Sequence, residues 1–446
     1  MAVKKKPGRK RSSGEGGLYW IESRKLWRAV IDYGYWPDGR RRQLSVTGRT
    51  AEIARAKMKA KTSEIEQFGA PLDKTTSVAD WASHWLETVC KPNLKPNALA
   101  AYESVTRTWI VPAIGPKPVA NVKPSDVRLV TKAITDAGRS SSTARKTFNV
   151  LSGMLEAARR DGLCAKNVAA DVTPPKMAAS TRGALPTEDA LRALSVAADL
   201  DDGTRWWVAL LGGLRQSERL GARISSLDLE NNVLAVEWAL DEIPSEHGCG
   251  TRVDDTWPCG KSRGGSCPQR RLKVPDGFEY QQLEGRLCFI RPKSGKVRYV
   301  PLIPKLAEAL RRHLDATADK PNPYGLIWRH DDGRPFLPDE DGQAWRDLLH
   351  RAGIISAEDT APGSAVPTTH WARHTTATVL MELGVDAKII GEIVGHASEA
   401  VTRGYQHVSS AAAREAMDKL GTHFAQGLIG HDTLVIEPRS ETEVLV

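Results

Sequence analysis

The chain has 446 residues, is 41% hydrophobic and 26% charged, and sets 63 lysines and arginines against 54 acidic residues for a formal net charge of +9. That composition fits a soluble globular protein too long for a single core, so two to four domains are expected. It excludes a disulfide scaffold, since six cysteines are too few for this length, and no run approaches the roughly 18 apolar residues of a membrane span, so the cytoplasm is the expected compartment.

The excess basicity belongs to one end. Residues 1–69 hold 17 lysines and arginines against 7 acidic residues, a net +10, and the rest of the chain is near −1. A polyanion contacted by the N-terminus is one reading; for residues 1–13, with Lys4-Lys5-Lys6 and Arg9-Lys10-Arg11, a solvated disordered tail is the other. Within 14–69, three β-rich runs (Gly17 to Glu22, Leu26 to Tyr33, Arg41 to Thr47) are separated by the turn-like Ser23-Arg24-Lys25 and Pro37-Asp38-Gly39. Thr50 then caps a helix from Ala51 to about Gln67.

Residues 70–76 read as a linker, and 77–172 as an all-α module in which Trp81 and Trp85 share a face. Further helices are predicted at 97–109, 124–137 and 141–161, the last stopped by Gly162. A second linker covers 173–183. From 184 to 424 a mixed α+β domain is expected, opened by the helix start Pro186-Thr187-Glu188, with strands near 232–240 and 286–302, an insertion at 244–282, and an acidic-apolar tail at 425–446. The fold class is therefore multidomain, mainly α with β.

Four short stretches in this last domain carry chemistry: Gly213-Leu214-Arg215-Gln216-Ser217-Glu218, His370-Trp371-Ala372-Arg373-His374, Val394-Gly395-His396, and Tyr405 nine residues later. Cleaving a phosphodiester with tyrosine requires cations on the two non-bridging oxygens, a proton acceptor for a phenol whose ordinary pKa is about 10, and a donor for the departing sugar oxygen. Arginine suits the oxygens because its planar fork stays charged and binds phosphate bidentately, whereas lysine can serve as an acid. Each residue alone has a plainer reading: Arg215 as a helix-flanking arginine, His370 and Arg373 as surface residues one turn apart, His396 as a cap. The order and spacing together favour the site.

On these residues the chain resembles the tyrosine recombinases, the phage integrase family. The family's first box is matched by Gly213 to Glu218, the second by His370 to His374, with Trp371 and Ala372 where a leucine is frequent, and the third by Val394 to His396. Arg291-Pro-Lys293-Ser-Gly-Lys296 matches its hairpin lysine, with Lys293 favoured over Lys296. The resemblance implies Tyr405 as nucleophile forming a 3′-phosphotyrosyl link, Arg215 and Arg373 on the phosphate, His370 at the nucleophile's proton, His396 donating to an oxygen, Lys293 protonating the 5′ oxygen, and Glu218 steadying the site from behind. It implies an arm-type DNA-binding domain at 14–69, a SAM-like core-binding domain at 77–172 and a catalytic domain at 184–424. Catalysis would need no cofactor.

The expected function is that of an integrase inserting and excising a mobile element such as a prophage. A dimer-resolving recombinase of the same chemistry and a catalytically silent DNA-binding regulator are the alternatives. Partners implied are double-stranded DNA at core and arm-type sites, a homotetramer on DNA, and accessory DNA-bending or directionality proteins. Arg28, Arg40, Arg41 and Arg42 are the candidate DNA contacts of the N-terminal sheet, whose aromatics read equally as its core. The helix expected after Tyr405, with Ala413, Ala416, Met417 and Leu420 on one face, docks on a neighbouring subunit or on its own domain. In the insertion, His247, Cys249, Cys259 and Cys267 form a permissible structural zinc set lacking a C-x-x-C pair; a flexible basic loop with reduced thiols is the alternative.

Overall fold

The computed structural model describes residues 17–35, 40–68, 75–178, 183–253, 256–293, 295–361, 366–395 and 410–428. Two units divide the chain, one running to Ser180 and including Val274–Asp276, the other comprising Thr181–Lys273 and the residues from Gly277 onward.

The first unit starts with an antiparallel sheet of order β1-β2-β3: β1 (Leu18–Ile21), β2 (Leu26–Tyr35) and β3 (Arg41–Gly48). Side chains alternate along β2, so Ala29 and Ile31 are buried while Arg28 is exposed. Helix α1 (Ala51–Phe68) packs on β2 and β3, burying Ala54. The Thr50 hydroxyl accepts the Ile53 N–H at 3.2 Å, which is the cap expected from the sequence. Trp20 and Trp27, paired across β1 and β2, pack with rings tilted by 57° and centroids 5.6 Å apart.

The unit continues with α2 (Val78–Trp85), α3 (Pro96–Val105), α4 (Pro124–Asp136) and α5 (Ser141–Arg160). Both α2 and α3 extend through a wide π turn, Leu86–Cys90 and Thr106–Ile110, so the helix predicted at 97–109 is longer than its sequence pattern suggested. Trp81 and Trp85 are both buried, and the Trp81 indole donates to the Met154 carbonyl at 3.0 Å.

In the second unit, α6 (Thr187–Ala198), α7 (Thr204–Gly212) and α8 (Gln216–Leu220) precede eight short strands. These are β4 (Leu227–Asp228), β5 (Val233–Val236), β6 (Ala239–Glu242), β7 (Ser245–Glu246), β8 (Arg271–Leu272), β9 (Tyr280–Glu284), β10 (Leu287–Ile290) and β11 (Arg298–Pro301). They form three antiparallel sheets, of order β11-β5-β4, β6-β10-β9 and β7-β8. The strands expected near 286–302 lie in different sheets: β10 pairs with β6 and β9, while β11, beyond the turn that carries Lys293, pairs with β5. The stretch 232–240 splits in the same way into β5 and β6.

Helices α9 (Pro304–Ala316), α10 (Pro338–Arg351), α11 (Thr369–Glu382), α12 (Ala387–Val394) and α13 (Ser410–Leu428) complete it. Every residue of α7 is buried, which makes it the central helix of the core. Buried tryptophans in and around it have their N–H groups satisfied: its own Trp207 donates to the Leu194 carbonyl at 3.0 Å, Trp328 to the Thr204 hydroxyl at 2.9 Å and Trp345 to the Pro367 carbonyl at 2.8 Å. Ala416, Met417, Leu420 and Phe424 of α13 are buried in the same core, so the last helix covers its own unit.

Behind α8 lies a buried charge network. Arg205 and Arg219 both pair with Asp341 of α10, Arg205 pairs also with Asp202 at 2.6 Å, and the two guanidinium groups sit over the Trp206 ring. Gln216 Nε2 joins it, donating to Asp341 at 2.9 Å. Two buried arginines sharing one carboxylate make that carboxylate expensive to lose. Asp341→Ala is expected to destabilise this unit by about 3–5 kcal/mol, read as the shift of its unfolding transition; a loss below about 1 kcal/mol shows that the network is relaxed by water.

Candidate active site

Helix α7 ends at Gly213, whose φ of 63° is left-handed and whose missing side chain leaves room against Val394 and Thr376, where an added Cβ would lie 2.9 Å from Val394 Cγ1. The chain then turns through buried Leu214 into Arg215, the extended residue before α8. Arg215 Nη1 donates to Glu218 Oε1 at 2.7 Å, and its backbone N–H donates to Oε2 at 2.9 Å. Its Nη2 donates to the Gly395 carbonyl at 2.6 Å.

Glu218 has a second arginine. Arg298, the first residue of β11, donates through Nη2 to Glu218 Oε2 at 2.7 Å and through Nε to the Ile393 carbonyl at 3.3 Å. Gly395, at φ 71°, ends α12; an added Cβ there would lie 3.1 Å from the Arg298 guanidinium. The Glu218 side chain is 1% exposed. Burial would raise its pKa, but the Arg298 hydrogen bond and the charges of Arg298 and Arg215 hold it at about 2.

Arg373, in the first turns of α11, is 1% exposed and donates through Nη1 to the Gly213 carbonyl at 2.9 Å. Its Nη2 is buried and has no hydrogen-bond partner among the described residues. Burial first, then the neighbouring charges of Arg215 and Arg298, bring its pKa down to about 9 against the pull of Glu218. It remains charged at neutral pH. Three guanidinium groups around one carboxylate leave an excess of positive charge, with one buried N–H unpaired among the described residues, an environment suited to an anion. A phosphate, accepting from Nη2, would satisfy both deficits.

Of the residues singled out from the sequence, Arg215, Glu218 and Arg373 are thus brought into one electrostatic group. His370 is exposed at the start of α11, its ring edge-on to His374 with centroids 4.7 Å apart. Lys293 is exposed in the turn between β10 and β11, five residues before Arg298. His396 and Tyr405 lie outside the described residues, between α12 and α13, and Arg42's side chain is likewise outside them. Trp371 packs on Gly183, and Ala372 is buried, so both serve the core.

Arg298 was missed in reading the sequence. Its signal was present: it shares the inward parity of β11 with buried Val300, and a charge on that parity needs a partner. The network around Asp341 left no such trace, because its partners are more than 100 residues away.

Residues 78–174 match the model of the phage integrase central domain, and residues 270–412 match that of the phage integrase family. The chain belongs to the phage integrase family, the tyrosine recombinases. An integrase of Saccharopolyspora erythraea is 22% identical over 426 residues, covering 89% of this chain and 94% of that protein. The tyrosine recombinase XerC of Mesorhizobium japonicum is 25% identical over 339 residues, covering 74% of this chain and 91% of its own. The fold of this tyrosine recombinase is similar to that of the Tn1549 transposon integrase, solved with transposon right end DNA: the TM-score is 0.55 at 20% identity, over 78% of this chain and all of that one. Among the described residues no helix is long and apolar enough to cross a membrane.

Glu218 yields a pH test. Its pKa falls from 4.5 to about 2 on folding, so its contribution is complete above pH 4.5 and is lost as the pH drops toward 2. Glu218→Gln should cost about 3 kcal/mol at pH 7. The gap to wild type in urea unfolding should narrow as the pH falls below 4.5; a gap that stays constant down to pH 3 contradicts the assignment.

Proposed function

We propose that this chain is a site-specific integrase that cuts and rejoins DNA through a 3′-phosphotyrosyl intermediate, moving a mobile element into and out of its target. The observation that supports it most is the buried Arg373 Nη2, unpartnered among the described residues, in a cluster tied by hydrogen bond to Gly395, the residue before His396.

In this reading the phenol of Tyr405 loses its proton, His370 assisting, and its oxygen bonds to phosphorus as the bond to the 5′ oxygen breaks. Lys293 gives that oxygen a proton, leaving a free 5′-hydroxyl. Arg215 and Arg373 hold the non-bridging oxygens where negative charge accumulates, and His396 donates to one of them. Glu218 and Arg298 position Arg215 without touching the phosphate. Because the phosphotyrosyl bond conserves the energy of the phosphodiester, rejoining by a 5′-hydroxyl needs no nucleotide. The guanidinium groups take the charge-neutralising role that metal ions have in other phosphoryl-transfer sites. The cluster of His247, Cys249, Cys259 and Cys267 has no step in this reaction.

The N-terminal sheet presents exposed Arg28, Arg40 and Arg41, Arg41 lying 3.6 Å from Asp32, on or beside strands whose other face α1 covers. They form a basic surface suited to a DNA groove. This sheet is assigned a second, arm-type site, distinct from the core site engaged by residues 77–172 and the catalytic unit. Strand exchange would take place in a homotetramer on DNA, directed by accessory DNA-bending or directionality proteins.

A nicked suicide substrate bearing the core site should trap a covalent protein–DNA adduct. Tyr405→Phe should abolish it, and Arg373→Ala should slow its formation on the order of 10²–10³-fold. An undiminished adduct in Tyr405→Phe would sink the mechanism, and no adduct in wild type would favour a silent DNA-binding regulator. Deleting residues 1–69 should leave core-site cleavage intact while removing protection of the second site in footprinting; equal loss at every site would contradict the division of labour.

A further inference from the structure

Between β6 and β9 the chain makes an excursion that the reaction does not use and whose cysteines precede the region, 270–412, that matches the family. Its regular elements are the two-residue strands β7 and β8 and a single 3-10 turn at Gly264–Ser266. From Pro244 to Leu272 only His247 and Cys267 are fully buried among the described residues, and Val253 is exposed. A segment without an apolar centre has little hydrophobic free energy to offset the entropy of ordering it.

At its centre is a set of metal donors. One ligand atom from each of His247, Cys249, Cys259 and Cys267 lies within 4.8 Å of all the others. His247 Nδ1 is 3.4 Å from Cys259 Sγ and 3.8 Å from Cys249 Sγ. A tetrahedral zinc with Zn–S of about 2.3 Å and Zn–N of about 2.0 Å sets its donors roughly 3.5–3.8 Å apart, so the four need only close slightly around an ion. The pairing of β7 with β8, Glu246 opposite Arg271, brings the start of the excursion to its end and so His247 toward Cys267. Trp257 stacks on the His247 ring, centroids 4.2 Å apart and nearly parallel, and the backbone N–H groups of Gln269 and Gly248 point at the Cys267 sulfur. A fixed imidazole and N–H donors to a thiolate are the supports a metal site needs around its ligands.

We propose that His247, Cys249, Cys259 and Cys267 bind one zinc ion, which replaces an apolar core and folds residues 244–273. Three thiolates and an imidazole in a closed tetrahedral set select zinc over hard cations and leave no open position for catalysis. The site is structural, and its metal is independent of whether the chain recombines DNA.

Elemental analysis of the full chain, purified without chelator or added metal, should find about one zinc per chain. Cys259→Ser and Cys267→Ser should each bring it below about 0.2, while Cys90→Ala, in the helical module, should leave it unchanged. In wild type, a mercurial reagent that titrates the thiols should release the zinc stoichiometrically, a readout that needs no variant to fold. Iron in place of zinc, metal below about 0.2 per chain in wild type, or a disulfide among these cysteines on mass mapping would each overturn the proposal.

Discussion

Arg215, Arg298 and Arg373 repel one another, and among the described residues the one buried carboxylate between them is Glu218, which accepts from two of the three. That imbalance organises the second unit. Arg373 bears its consequence, with a pKa lowered to about 9 and one buried nitrogen unpaired among the described residues. Under the proposed function, the surrounding fold holds this costly group and a phosphate completes it. A phosphodiester supplies the missing charge and acceptor oxygens at the place where a reaction would build up more negative charge.

The fold holds the arrangement from three directions. Helix α8 carries Arg215 and Glu218 at its start and is anchored from behind by Gln216 and Arg219 on Asp341. Strand β11 supplies Arg298. Helix α11 supplies Arg373, whose Nη1 is fixed by the carbonyl of Gly213. Gly213 and Gly395 sit where these pieces approach most closely, each in a left-handed conformation with no room for a side chain. The glycines of the two short boxes are therefore there for packing, and the chemistry is carried by the residues beside them.

Much of this was legible in the chain. The β-rich runs and the capped helix of the N-terminal sheet, and Trp81 with Trp85 on one buried face, follow from period and turn chemistry that act locally. Arg215, Glu218 and Arg373 were found by their spacing within short boxes. What escaped has a physical reason. Arg298 lies in a strand whose partner, β5, and whose carboxylate, Glu218, are both distant in sequence. The π turns in α2 and α3 have no sequence period of their own. Hydrophobic pattern does not reveal which sheet a strand will join, so the pairing of β10 and β11, on either side of the Lys293 turn, with different sheets left no trace in the sequence. The terminal helix was ambiguous for a similar reason: an apolar stripe states that something will cover it, and only the buried Met417, Leu420 and Phe424 show that the covering is its own core.

The central claim is that Arg373 is kept buried and incompletely bonded for a scissile phosphate. A structure of the chain trapped on its core-site DNA tests this most directly. A non-bridging phosphate oxygen should lie about 2.7–3.0 Å from Arg373 Nη2, with Arg215 on the same phosphate and the Glu218–Arg298 pair intact behind it. A scissile phosphate seated elsewhere, with Arg373 Nη2 bonded to protein or water, would contradict the account.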